Sequence, residues 1–68
     1  MKTYDEMITE IATRLNGLEK ASSTINSTDR MLQEQHIIGM AYATYMIYGE
    51  CSVSDVMTLA SMRAEELK

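Results

Sequence analysis

The sequence carries little punctuation. Proline is absent from its 68 residues, and glycine occurs three times, at Gly17, Gly39 and Gly49. These two residues most often end helices and shape tight turns, so their scarcity favours a few long helices over strands joined by turns. Cysteine and histidine are as sparse, with Cys51 and His36 the sole representatives. One cysteine cannot close a disulfide within the chain, and one cysteine with one histidine cannot assemble a structural zinc site. Domains this small bury only about 60% of the surface their unfolded chain exposes and often need such a staple. With disulfide and metal excluded, association with another chain or very efficient helix packing is left. A long apolar run is missing too. The longest near-continuous stretch, residues 37–48, has 12 residues, whereas a membrane span needs about 20. Lys2 is followed by Asp5 and Glu6 with no apolar stretch behind it, which is unlike a signal peptide. Together with a single free cysteine, that leads us to expect a cytoplasmic protein.

Cations are the minority charge: six Lys and Arg stand against ten Asp and Glu, for a formal net charge of −4. An acidic balance favours solubility and opposes binding to a phosphate backbone, so nucleic acid is not an expected partner. The acids are scattered, with no run that would mimic nucleic acid.

The residues that are present predict an all-α fold: a single helical domain over 1–68 with three helices, at about 3–23, 28–48 and 53–67. Thr3-Tyr4-Asp5-Glu6 fits a capping box, and the two acids suit the positive end of the helix dipole. Tyr4, Ile8, Ile11, Leu15 and Leu18 follow at spacings of 4, 3, 4 and 3, a seam for a neighbouring helix. Asn16-Gly17 is a soft spot. The seam resumes at Leu18, so the first helix is read through Gly17, with a stop there as the alternative. Residues 21–28 are rich in Ser, Thr and Asn, which favour caps and turns. The helix is expected to fray near Ser22 or Ser23, with Ser27 capping the second. Ser52-Val53-Ser54-Asp55 is a capping box with Asp in place of Glu, opening the third helix.

The second helix is two-part. Residues 29–36 are mostly polar, whereas Ile37 to Tyr48 is apolar almost all round, the pattern of a buried helix. A strand over Tyr45–Tyr48 is the weaker reading, and Gly49 falls where a helix-ending glycine belongs. Two amphipathic helices cover only part of such a helix. We therefore expect it to lie at the centre of the fold and to enter a dimeric helical bundle, most simply a two-fold homodimer. The expected oligomer contacts are Ile38, Gly39, Ala41, Tyr42, Ala43, Tyr45, Met46 and Tyr48. Small residues at Gly39, Ala41 and Ala43 would let a helix approach closely. Met31, Met40, Met46, Met57 and Met62 are expected on buried faces, as filler or as adaptable contacts.

Other side chains invite chemical readings. Tyr42, Tyr45 and Tyr48 could stack on a nucleotide, and Arg30 and His36 join them as possible ligand or partner contacts, with charge from Lys2, Arg14, Lys20 or Arg30. His36 could act as base or ligand, but no carboxylate or thiol stands four residues away on either side. Cys51 could be activated by the helix that follows it, yet no basic neighbour or second cysteine is present. Gly49 to Ser61 loosely resembles a helix-turn-helix. Its reading helix would offer Ser54, Asp55, Thr58, Ser61 and Met62, with Arg63 as its one cation. No phosphate loop, dinucleotide fingerprint, nucleophile elbow or metal spacing occurs. No catalytic residue, metal site or cofactor is expected, and the chain reads as a non-enzyme.

The functional expectation is a small acidic interaction protein that binds and inhibits or modulates another protein. Its size and composition are those of phage or mobile-element accessory factors acting on a host enzyme or defence system. An oligomeric small-ligand protein that binds or sequesters nucleotides is the alternative, and a helix-turn-helix-like transcription regulator the third.

Overall fold

A computed structural model of the chain describes residues 2–21, 23–49 and 52–68. Three helices are found, α1 (Tyr4–Ala21), α2 (Ser27–Tyr48) and α3 (Val53–Glu66), with no strand among the described residues. Each helix begins where its local chemistry provides a cap. At α1 the Thr3 hydroxyl accepts from the Glu6 amide at 3.1 Å, and the Glu6 carboxylate accepts from the Thr3 amide at 3.0 Å. At α3 the reciprocal pair is Ser52 with Asp55. At α2 the cap is Asn26, whose side chain accepts from the Asp29 amide at 2.8 Å. Ser27, expected to cap, is the first helical residue. Asn and Ser are near-equal caps, so sequence preference alone does not separate the two positions.

The helix ends differ a little from expectation. α1 runs unbroken through Gly17 to Ala21, and the amides of Thr24 and Ile25 turn back onto the Ala21 carbonyl. Ser22 lies outside the described residues, while Ser23 is already in the turn. Gly49 closes α2 with a left-handed φ of 61° and its amide on the Tyr45 carbonyl. An L-residue with a Cβ resists that conformation, which is the reason for glycine there.

The core gathers Ile8, Ile11, Leu18, Ile37, Ala41, Val56 and Ala60. Tyr4, Leu15, Ile25, Met40, Val53 and Met57 pack against it. α1 contributes four buried residues and α2, though longer, three: Ile37, Ala41 and Thr44. Among the described residues Thr44 is the one buried polar residue, and its hydroxyl donates to the Met40 carbonyl at 2.8 Å, so its burial leaves no donor unpaired. Two clamps add to the apolar contact of α1 with α3. Arg63 donates to Asp5 at 2.8 Å and to the Thr9 hydroxyl at 2.6 Å. The Asn16 amide donates to the Ala64 carbonyl at 3.0 Å.

The second helix is therefore not the hub that its apolar composition suggests. At 1.5 Å per residue, 22 residues span about 33 Å, close to the longest dimension of the molecule, 35 Å. α3 has 14 residues, so α2 overhangs it. Every residue of 27–36 is exposed, and burial on α2 begins at Ile37.

Candidate functional site

The outer side of α2 is an apolar surface that internal packing leaves unused. A helix turns 100° per residue, so Ile37, Ala41 and Thr44 fall on one face, and Leu32, Gln35, Gly39, Tyr42, Ala43 and Met46 fall opposite. All six of the latter are exposed. Met31, Leu32, Ile38, Tyr42, Tyr45 and Met46 keep 58, 60, 45, 57, 40 and 77% of their surface. At about 200 Å² for a fully exposed large side chain, they present on the order of 700 Å². The largest apolar patch on a monomer is usually about 300–600 Å². This stripe of α2 holds no Asp, Glu, Lys or Arg.

Gly39 lies in the middle of the stripe. A Cβ added there would meet nothing within 4 Å, so no contact inside the chain requires glycine. Glycine within a helix costs about 0.5–1 kcal/mol relative to alanine, and nothing inside the domain offsets that cost. Gly17 in α1 is equally open, with nothing within 4 Å of an added Cβ.

The expected contact residues divide. Ile38, Gly39, Tyr42, Ala43, Tyr45 and Met46 lie outside. Ala41 is 0% exposed and packs in the chain's own core, because it follows Ile37 by four residues on the inward face. Tyr48 is half-buried. Its ring meets that of Tyr4 edge-on, with centroids 5.8 Å apart, and its hydroxyl donates to the Lys2 carbonyl. Tyr48 thus fastens the start of the chain to the end of α2, and the three tyrosines do not form one stacking surface. Of the methionines expected on buried faces, Met40 and Met57 are partly buried, whereas Met31, Met46 and Met62 are 58, 77 and 59% exposed.

Three of the charged candidates are already paired. Arg30 donates to Glu34 at 3.2 Å, and Lys2 and Arg14 both bind Glu10. The Lys2 ammonium holds the Glu10 carboxyl below its usual range. Hydrogen bonds from Thr3 do the same for Glu6. Arg63, the one cation of the would-be reading helix, is raised further by its Asp5 partner. Its guanidinium also lies 3.9 Å from Glu66, and those carboxylates would compete with any phosphate.

His36 and Arg14 both line a second place. Together with Gly17, Leu18, Ala21, Leu32, Gln33 and Ile37 they line an open groove of about 620 Å³ between α1 and α2. Small-ligand sites commonly measure about 300–1,000 Å³. The groove has an apolar floor, and Arg14, Gln33 and His36 give it a polar edge. Tyr42 and Tyr45 are on the other side of α2. Among the described residues no group of three or more His, Cys, Asp or Glu could hold a metal, and no helix is long and apolar enough to cross a membrane. Cys51 lies outside the described residues.

Compared with protein-family models, curated proteins and solved structures, the chain matches none.

Proposed function

We propose that this chain is a non-catalytic interaction protein whose working surface is the outer face of α2. The observation that carries the reading is the roughly 700 Å² of large apolar side chain left outside a core that the same chain has already closed. Exposed Tyr and Met suit such a role. Tyrosine combines an apolar ring with a hydroxyl, and methionine adapts to irregular partners. An accessory factor that blocks or modulates another protein fits the chain's small size and acidity, as in phage and mobile elements. Such a factor needs a surface and no reaction centre. The test is co-purification of partners by the tagged chain and by Met46→Glu. Both should fold alike by circular dichroism, and the variant should lose the partners that the parent retains. Equal recovery by the two would sink the reading.

A second reading is small-ligand binding in the α1–α2 groove, favoured by Arg14 and His36, which both line it. An anion with an apolar body, a nucleotide included, would suit that lining. Saturating ligand at 100 times its Kd should add about 2.7 kcal/mol to stability. A nucleotide panel that leaves the melting temperature unmoved would remove this alternative. DNA binding is the least supported reading, since Arg63 is committed to Asp5 and the net charge opposes it.

A further inference from the structure

We infer that the occupant of the outer α2 face is a second copy of this chain, laid antiparallel across it with the two helices crossing at Gly39. This rests on the reading of that face as a binding surface and names its partner.

Three features favour a second copy. The first is area. A standard interface takes about 800 Å² from each partner. Leu32, Tyr42 and Met46, the large side chains that face outward with Gly39, supply about half of this, on the order of 400 Å², and the exposed Met31, Gln35, His36 and Ala43 flank them. The second is charge. A chain with a net charge of −4 repels its own copies, so a patch free of charge is where copies meet at least electrostatic cost. The stripe from Met31 to Met46 that faces away from the core is such a place.

The third is self-complementarity. A two-fold contact must match a surface with itself, residue i to j and j to i. Reading outward from Gly39, His36 and Tyr42 stand three residues to either side, and Leu32 and Met46 stand seven. All four are exposed. An antiparallel two-fold at Gly39 therefore sets Leu32 of one copy beside Met46 of the other, twice, and His36 beside Tyr42, twice. Apolar meets apolar and ring meets ring. The arrangement also covers exposed side chains at the start of α2, where Leu32 and His36 stand at the rim of the groove shared with α1. At the crossing Gly39 has no side chain, and Ala43 one turn on is small, so the helices can approach closely. Helix pairs ordinarily pack about 8–10 Å apart.

The test begins with the unmodified chain. Sedimentation equilibrium at high micromolar concentration should give twice the 7.7 kDa chain mass. Met46→Glu should raise the dimer dissociation constant about thirtyfold or more, the scale of an interface hot spot. Orientation is read by disulfide trapping in a Cys51→Ser background. Leu32→Cys alone and Met46→Cys alone should trap little, and an equimolar mixture should trap the mixed pair. A wild-type chain that sediments as a monomer overturns the second copy. The binding reading would then stand or fall on partner loss by Met46→Glu. A dimer that both Met46→Glu and Tyr42→Glu leave intact overturns the placement of the second copy on this face, and the binding reading is then decided by partner loss alone. Efficient trapping of Leu32→Cys with itself overturns the antiparallel arrangement.

Discussion

The helices α1 and α2 begin side by side in chemistry and end in different places. Both have capped starts, both carry one open glycine, and both run four turns or more. α1 is the less apolar, yet it supplies Ile8, Ile11, Ala12 and Leu18 to the core. α2 has the apolar run, yet Ile38, Tyr42, Met46 and Ile47 remain wet. The difference is one of periodicity. On α1 the apolar residues fall on one face, and two neighbours suffice to cover them. On α2 they surround the helix, and a chain of three helices covers one side only. Apolar content therefore measures how much surface seeks cover, while its spacing decides whether the same chain can provide it.

Truncation on the two faces should separate these roles most sharply. Ile11 is 0% exposed, so Ile11→Ala removes packed atoms and leaves a cavity, at a cost of about 2–5 kcal/mol. A domain of this length has a total stability of only about 3–10 kcal/mol, so the variant should be close to unfolded in chemical denaturation. Met46→Ala should cost the isolated chain within about 0.5 kcal/mol. Its effect should appear as a lost dependence of the melting temperature on protein concentration. A large, concentration-independent loss at Met46 would mean that the two faces are not distinct.

The three glycines sharpen the comparison at smaller amplitude. Gly49→Ala forces a Cβ into a left-handed position, at a cost of about 1–2 kcal/mol. Gly17→Ala should gain about 0.5–1 kcal/mol, since the helix continues through an open site. Gly39→Ala should gain as much if α2 works alone. If a second helix crosses there, the gain at high protein concentration should shrink or reverse. Thermal melts of the three variants at low and high concentration read the outcome.

Much of the architecture could be read from the residues themselves. The capping pairs Thr3/Glu6 and Ser52/Asp55 and the closing Gly49 are local signals, complete within four residues, and all three are found. The seam from Tyr4 to Leu18 needed only its own period. What could not be read depends on partners distant in the chain. The clamp of Arg63 on Asp5 and Thr9, the Asn16 bond to Ala64 and the fastening of Tyr48 to Lys2 join residues more than 45 positions apart. No local pattern announces such pairs. The same limit explains Ala41. Among Gly39, Ala41 and Ala43, the sequence offers three small residues in one apolar run. Only the docked position of α2 shows that the middle one turns inward. The groove that joins Arg14 to His36 is likewise a product of the α1–α2 angle.

The smallest expected effect concerns the charges that hem α1. Glu6 and Glu10 are more acidic in the folded chain than in the unfolded one, through Thr3 and Lys2 respectively. A depressed carboxyl contributes stability that is fully present above its unfolded value, about 4.3. That contribution is lost as pH falls through the lower folded value. Lys68 behaves oppositely. Its partners Glu19 and Glu65 raise it, so its contribution is present below about 10.4 and is lost as pH rises through the folded value. Between these limits the denaturation midpoint should be nearly flat with pH. Below about pH 4.3 it should fall, and Glu10→Gln should make that fall shallower without altering the alkaline limb. These groups are solvent-exposed and screened, so the acid limb should weaken further in high salt. An acid limb that ignores both Glu10→Gln and salt would place the decisive acids elsewhere than at the start of α1.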